Sequence, residues 1–173
     1  LSDITHLILP GVGSFEAGIK TLRKQKWDKK IKLLVKKKIK LLGICLGMQL
    51  LFRTGHNEKS KKKLYGLKLI NGTCESFFKS NKYKLPLPHV GFNNLSQISK
   101  NFDLFKKINE FDNFYFVHSY KMRLNSNNKT FACCNYEIEF LAAFQRENIF
   151  GVQFHPEKSQ SSGLVLLRNF LNL

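Results

Sequence analysis

The chain has 173 residues, of which 43% are hydrophobic and 24% charged, the profile of one globular domain and not of a disordered or fibrous segment. Its 29 basic residues outnumber 12 acidic ones for a formal charge of +17, yet only five are arginine (Arg23, Arg53, Arg123, Arg146 and Arg168); lysine is the poorer ligand for phosphates and base edges, so codon bias explains the charge better than nucleic-acid binding. No run approaches the ~20 apolar residues that cross a bilayer, and LSDITHLILPGVG lacks the basic start of a signal peptide, so a cytoplasmic setting is expected, with no membrane and no nucleic-acid partner.

Residues 5–9 are an apolar run closed by Pro10, Gly11 and Gly13, the pattern of a buried strand entering a glycine-rich turn. Over 15–38, Phe15, Ile19, Leu22, Ile31, Leu34 and Val35 recur by threes and fours among lysines, which predicts an amphipathic helical region broken near Trp27 and Asp28. Residues 39–44 read as a second buried strand and 46–53 as a helix that Gly55 ends in the left-handed position. A lysine-rich loop at 58–63 precedes short runs at 67–70 and 74–78 and a PLPHVGFNNL turn. Residues 114–122 and 130–134 read as paired strands around a turn at 125–129, and 139–145 and 149–154 as two more around Glu147 and Asn148. The last segment places Leu164, Leu167, Phe170 and Leu171 on one helical face. The expected fold is α/β: three layers, a mostly parallel central sheet with helices on both faces, and an antiparallel addition.

KIKLLGICLGMQLLF runs a buried strand straight into Cys45, with Gly47 and a helix behind it. Such a tight turn pushes a nucleophile out of the sheet, a helix start favours a thiolate, and the Leu46 N–H is placed to meet an oxyanion. A buried structural cysteine fits this segment equally well. In IFGVQFHPEKS, His155 follows a strand and Glu157 lies two residues on, a base with its orienting carboxylate or a surface His–Glu pair. Both Cys45 and His155 sit beyond the carboxyl ends of strands, where parallel sheets carry their sites. The Gly11 to Gly13 turn supplies backbone N–H groups for an anion but lacks the lysine of a phosphate loop. His118 reads equally as a packed strand residue or a pocket residue. Cys74, Cys133 and Cys134 have no metal-ligand or disulfide spacing and read as small core residues; no metal and no cofactor is expected.

The stretches LILPGVGSF, LLGICLGMQLLF, GLKLINGTCESF, PHVGFNNL, FYFVHSY and GVQFHPEKSQSSGLVLLRNF closely resemble the class I, or triad, glutamine amidotransferases, and among them the glutaminase subunits of imidazole glycerol phosphate synthase in histidine biosynthesis. The resemblance implies Cys45 as nucleophile, His155 as general base and acid, and Glu157 as its orienting carboxylate. It implies Leu46, Gly11, Val12 and Gly13 at the oxyanion, with Gly11 to Gly13 a mobile strand. It puts Gln49, His118, Ser119 and Tyr120 near glutamine, and Pro88, His89, Val90, Gly91, Phe92 and Asn93 at the partner interface. It further implies hydrolysis of glutamine through a cysteine thioester and delivery of ammonia, within a heterodimer, to a barrel-fold cyclase. The family's opening strand, helix and second strand are absent ahead of LILPG, so roughly a few tens of further residues are expected in the natural protein. KKKIK and RTGHNEKSKKK depart from the family's usual text and bear on partner docking, not on the triad. Two alternatives stay open: a paralogous glutaminase serving a sugar- or nucleotide-modifying synthase, and a non-catalytic regulatory or scaffold subunit.

Overall fold

In the computed structural model, which describes residues 4–56, 63–77, 84–125 and 130–173, the chain runs β1 (His6–Leu9), α1 (Phe15–Lys24), α2 (Trp27–Lys36), β2 (Lys40–Ile44), α3 (Leu46–Leu51), β3 (Phe52–His56), β4 (Lys63–Tyr65), β5 (Ile70–Ser76), β6 (His89–Asn94) and β7 (Gln97–Ile98). After a 3-10 turn at Asp103–Phe105 come β8 (Asn113–His118), β9 (Tyr120–Leu124), β10 (Phe131–Tyr136), β11 (Ile138–Arg146), β12 (Ile149–Val152), a second 3-10 turn at Pro156–Lys158, and α4 (Gln160–Leu171). The main sheet has the order β1-β2-β12-β11-β10-β7. It is parallel at β1–β2 and β2–β12 and antiparallel from β12 through β11 and β10 to β7. The α/β fold stands, with an antiparallel share larger than the apolar runs implied.

The side-chain period of two splits the core between the sheet's faces. In β2 and β12, Leu41 and Ile149 pack with Phe15, Ile19, Ile31 and Met48 from the three N-terminal helices. Their neighbours Leu42 and Phe150 pack with Leu166 and Phe170 of α4 on the other face. Leu41 and Leu42 are both fully buried, as a central parallel strand requires, and each buried leucine is worth about 1.5–3 kcal/mol.

Four expectations are corrected. Of the helix expected over 46–53, Phe52 and Arg53 are strand: the carbonyls of Leu50, Leu51 and Phe52 accept the N–H groups of Leu67, Leu69 and Lys68 at 2.8, 2.9 and 3.4 Å, so the chain leaves the helix for β3, and Gly55 has no positive φ. PLPHVGFNNL is largely strand, since β6 pairs along its length with β8. The strands expected to pair around 125–129 do not: β8 takes β6, β9 takes β5, and β10 takes β11 and β7, because the chain changes sheets at Ser119. On α4 the buried face is Ser162, Gly163, Leu166 and Phe170, while Leu164 and Leu171 are exposed. The loop expected at 58–63 falls, save Lys63, outside the described residues, as does most of the turn at 125–129. The break near Trp27 is real: Lys26 takes φ 60° and divides α1 from α2. Among the described residues no helix is long and apolar enough to cross a membrane.

Candidate active site

At the end of β2 the backbone turns through Cys45 with φ 51° and ψ −112°, a conformation costing a side-chain-bearing residue about 1–3 kcal/mol. The Cys45 N–H donates to the Val152 carbonyl at 2.8 Å, tying the turn to β12. A Cβ at Gly47 would strike the Leu9 carbonyl oxygen, so glycine there lets α3 start hard against β1. The Cys45 side chain is 6% exposed. Burial pushes its thiol up to about 11; the Leu46 N–H pulls it down, the Glu157 charge adds to the rise, and a hydrogen bond from Gln153 opposes it. Against the expectation of a helix-favoured thiolate, burial beats the single short α3, and the resting group is a thiol.

His155 lies just past β12. Its N–H donates to the Tyr115 carbonyl at 2.8 Å, and its carbonyl accepts the Ser159 hydroxyl at 2.6 Å. The same hydroxyl oxygen accepts the Tyr115 N–H at 2.9 Å, so one fully buried serine ties the segment after β12 to the middle of β8. The imidazole Nδ1 meets Glu157 Oε1 at 2.7 Å. A carboxylate there holds the proton on Nδ1 and leaves the Nε2 lone pair free. That Nε2 is buried and has no hydrogen-bond partner among the described residues. Glu157 itself is half exposed.

A cavity of about 360 Å³ gathers Cys45, Leu46, Gln49 and His155 with Val12, Gly13, Pro88, His118, Ser119 and Tyr120. Gly11 contributes from behind: its carbonyl accepts the Leu46 N–H at 3.3 Å, so the expected oxyanion donor is occupied. Gly13 takes φ +94°, and nothing stands within 4 Å of the point where a Cβ would sit. A larger cleft of about 730 Å³ at residues 95–110 contains neither cysteine nor histidine. The cavity therefore combines a thiol and a base with its proton held on the far nitrogen, parts of an acyl-transfer site, beside a backbone N–H that the Gly11 carbonyl now holds.

The family model described as glutamine amidotransferase class-I matches residues 3–173. The chain belongs to the class-I glutamine amidotransferases. It is 44% identical over 172 residues to imidazole glycerol phosphate synthase subunit HisH of Caldanaerobacter subterraneus subsp. tengcongensis, covering 98% of this chain and 80% of that protein. It is 42% identical over 172 residues to subunit HisH 2 of Methanococcus maripaludis, covering 99% and 82%. Among solved structures, a glutamine amidotransferase superposes with a TM-score of 0.68 at 18% identity, covering 97% of this chain and 78% of that one. PurLQS from Thermotoga maritima gives 0.69 at 15%, covering 99% and 81%. These two likenesses speak for the fold.

Within this amidotransferase the histidines expected at glutamine and at the partner turn out to hold each other. His118 Nδ1 faces the Tyr120 carbonyl at 2.7 Å and so carries a proton. Its Nε2 then accepts from His89 Nδ1 at 3.0 Å, and His89 Nε2 accepts from Asn93 Nδ2 at 2.9 Å. Both His118 ring nitrogens are spent, so in this arrangement the ring lines the cavity without a free polar atom for glutamine. His89 is 1% exposed and stacked on Tyr136 and Phe116, with ring centroids 3.9 and 4.9 Å away; it is not on the surface expected to meet a partner. Val90 and Phe92, alternating with it, are exposed at 54% and 45%, Pro88 is exposed, and Gly91 and Asn93 are partly so. Sequence reasoning missed Gln153 and Ser159. Gln153 lies two residues before His155 in the same VQFHPE text, but only the folded chain brings its amide to the sulfur.

Proposed function

We propose that this chain is the glutaminase subunit of an imidazole glycerol phosphate synthase, acting in the cytoplasm in a heterodimer with a barrel-fold cyclase. The observation that carries the chemistry is one cavity holding the Cys45 thiol and the Nε2 of His155, which has no hydrogen-bond partner among the described residues and whose other nitrogen is tied to Glu157 at 2.7 Å. The pathway is supported by the relatives named above, 44% and 42% identical to this chain.

Glutamine enters with its side-chain amide between Cys45 and His155. The thiol proton passes to His155 Nε2 as Sγ attacks the amide carbon. The imidazolium returns that proton to the departing nitrogen, releasing ammonia and leaving a glutamyl thioester. Water, deprotonated by His155, then attacks the thioester; glutamate leaves and the thiol regains its proton. The Leu46 N–H and one N–H of the Gly11 to Gly13 turn hold the oxyanion, each worth about 3 kcal/mol in the transition state. Because the Gly11 carbonyl now takes the Leu46 N–H at 3.3 Å, the turn must first rotate. That requirement links hydrolysis to the partner and avoids wasting ammonia. The test uses the complex with its cyclase: glutamine-dependent formation of imidazole glycerol phosphate should fall to background in Cys45→Ala, while ammonium salts restore it. Undiminished glutamine turnover by Cys45→Ala would overturn the reading.

A further inference from the structure

We infer that Gln153 is a catalytic residue of this site, its side-chain amide donating a hydrogen bond to the Cys45 sulfur with Gln49 fixing the direction of that amide. The inference rests on the reading of Cys45 as nucleophile. Gln153 is fully buried, and its Nε2 lies 3.5 Å from Cys45 Sγ. Its Oε1 accepts from Gln49 Nε2 at 3.2 Å. The two amides are coupled: turning over Gln153 alone would set two NH2 groups face to face, so a donor reaches the sulfur in the orientation in which Gln49 gives its own NH2 to Gln153 Oε1.

The backbone makes the arrangement rigid. The Gln153 N–H donates to the Ala142 carbonyl at 2.8 Å, and the preceding Val152 carbonyl takes the Cys45 N–H. Gln153 and Cys45 are thereby held on adjacent strand ends. An anion buried this deeply must be met by donors. Among the described residues those beside the sulfur are few. The Leu46 N–H is shared with Gly11, and His155 is a donor only after it has taken the proton. Gln153 donates throughout, and being uncharged it lowers the cost of the thiolate without competing for the proton that His155 must carry. Gln49, expected to touch glutamine, lines the cavity but commits its NH2 to Gln153 Oε1.

The experiment follows the rate of Cys45 alkylation by iodoacetamide against pH, read by mass spectrometry on the intact chain, together with glutaminase kinetics of the complex. Cys74, buried, and the groups facing Cys45, His155 and Glu157, are unchanged in every variant. Gln153→Met keeps the length but removes the donor: the alkylation midpoint should rise by about one pH unit and kcat should drop about tenfold with KM little changed. Gln153→Glu, which keeps only acceptors, should raise the midpoint further. Gln49→Leu, which frees the amide to turn, should move it in the same direction by less, and carries the test should Gln153→Met not fold. An alkylation profile identical to wild type in these variants, or a wild-type profile in Gln153→Glu, overturns the inference. Failure of the Cys45 reading is separate, since Cys45→Ala would then retain turnover whatever the alkylation profile.

Discussion

His89 and His118 show how burial sets the charge of a side chain. Burial pushes His89 down to about 4 and, with the nearby His89 and His155 rings adding to it against the Tyr120 carbonyl, His118 down to about 3. In the unfolded chain both take a proton near the ordinary 6.5, whereas the fold resists it, so the unfolded state binds more protons as pH falls below that value. Stability is therefore full above about pH 7 and declines as pH drops from 6.5 toward 4. Melting temperature should fall on the order of 5–10 °C between pH 7 and pH 5, above the range where ordinary carboxylates titrate. Calorimetry at pH 5, 6 and 7 checks this; a flat profile, or an equal slope in His89→Phe, refutes it. The same pair was only half legible in the chain. His118 stood out on an apolar strand face, but nothing in the spacing of His89 said that it would turn inward and pair with a ring 29 residues away.

At the scale of elements, the site depends on the segment after β12 being locked to β8. β8 and the segment after β12 are joined by Ser159, which gives one hydrogen bond to the His155 carbonyl and takes another from the Tyr115 N–H. Removing the hydroxyl leaves the Tyr115 N–H without its acceptor and the His155 carbonyl with the Lys158 N–H alone, which costs about 1–3 kcal/mol. Ser159→Ala should lower the melting temperature by roughly 2–10 °C and reduce kcat more than it changes KM, because the imidazole is displaced while the glutamine pocket stays. Ser159→Thr, which retains the hydroxyl, should recover part of both. An unchanged kcat in Ser159→Ala would show that the 3-10 turn at Pro156–Lys158 positions His155 without help. Elements that depend on local pattern were readable: the two N-terminal helices and their break, β2, and the β11 to β12 hairpin. Elements decided by distant partners were not. The helix after Cys45 stops short because residues 67–69 claim its last carbonyls, and helix propensity carries no record of that competitor.

Across the whole molecule, the exposed side of β6 and the mouth of the cavity carry apolar side chains that solvent does not favour: Val12 at 77%, Val90 at 54% and Phe92 at 45% exposure. We propose that this surface meets the cyclase, as the continuation of the proposed function. His89, Asn93 and His118 run a hydrogen-bonded chain from the inner side of the same strand to the cavity wall. Val90→Glu with Phe92→Ser should weaken association with the cyclase about tenfold or more. Phe92 loses its edge contact with Tyr115, 5.3 Å between centroids, so a small fall in melting temperature accompanies it. Unchanged affinity by calorimetric titration would place the docking surface elsewhere.

The chain by itself determined the chemistry and the class of fold. Strand–Cys45–Gly47 and strand–His155–Pro156–Glu157 are local constraints, a tight turn needing glycine and a base needing a carboxylate two residues on, so they are written in contiguous residues. Tertiary structure decided what depends on distance through space. It sent the strands on either side of Ser119 to different sheets and placed the Gly11 carbonyl on the Leu46 N–H. It made the Cys45 thiol by burying it where a helix end alone would favour the anion. It brought Gln153 from 108 positions away to the sulfur. Desolvation and hydrogen-bond competition act only once the chain has closed on itself, and no window of sequence contains both partners.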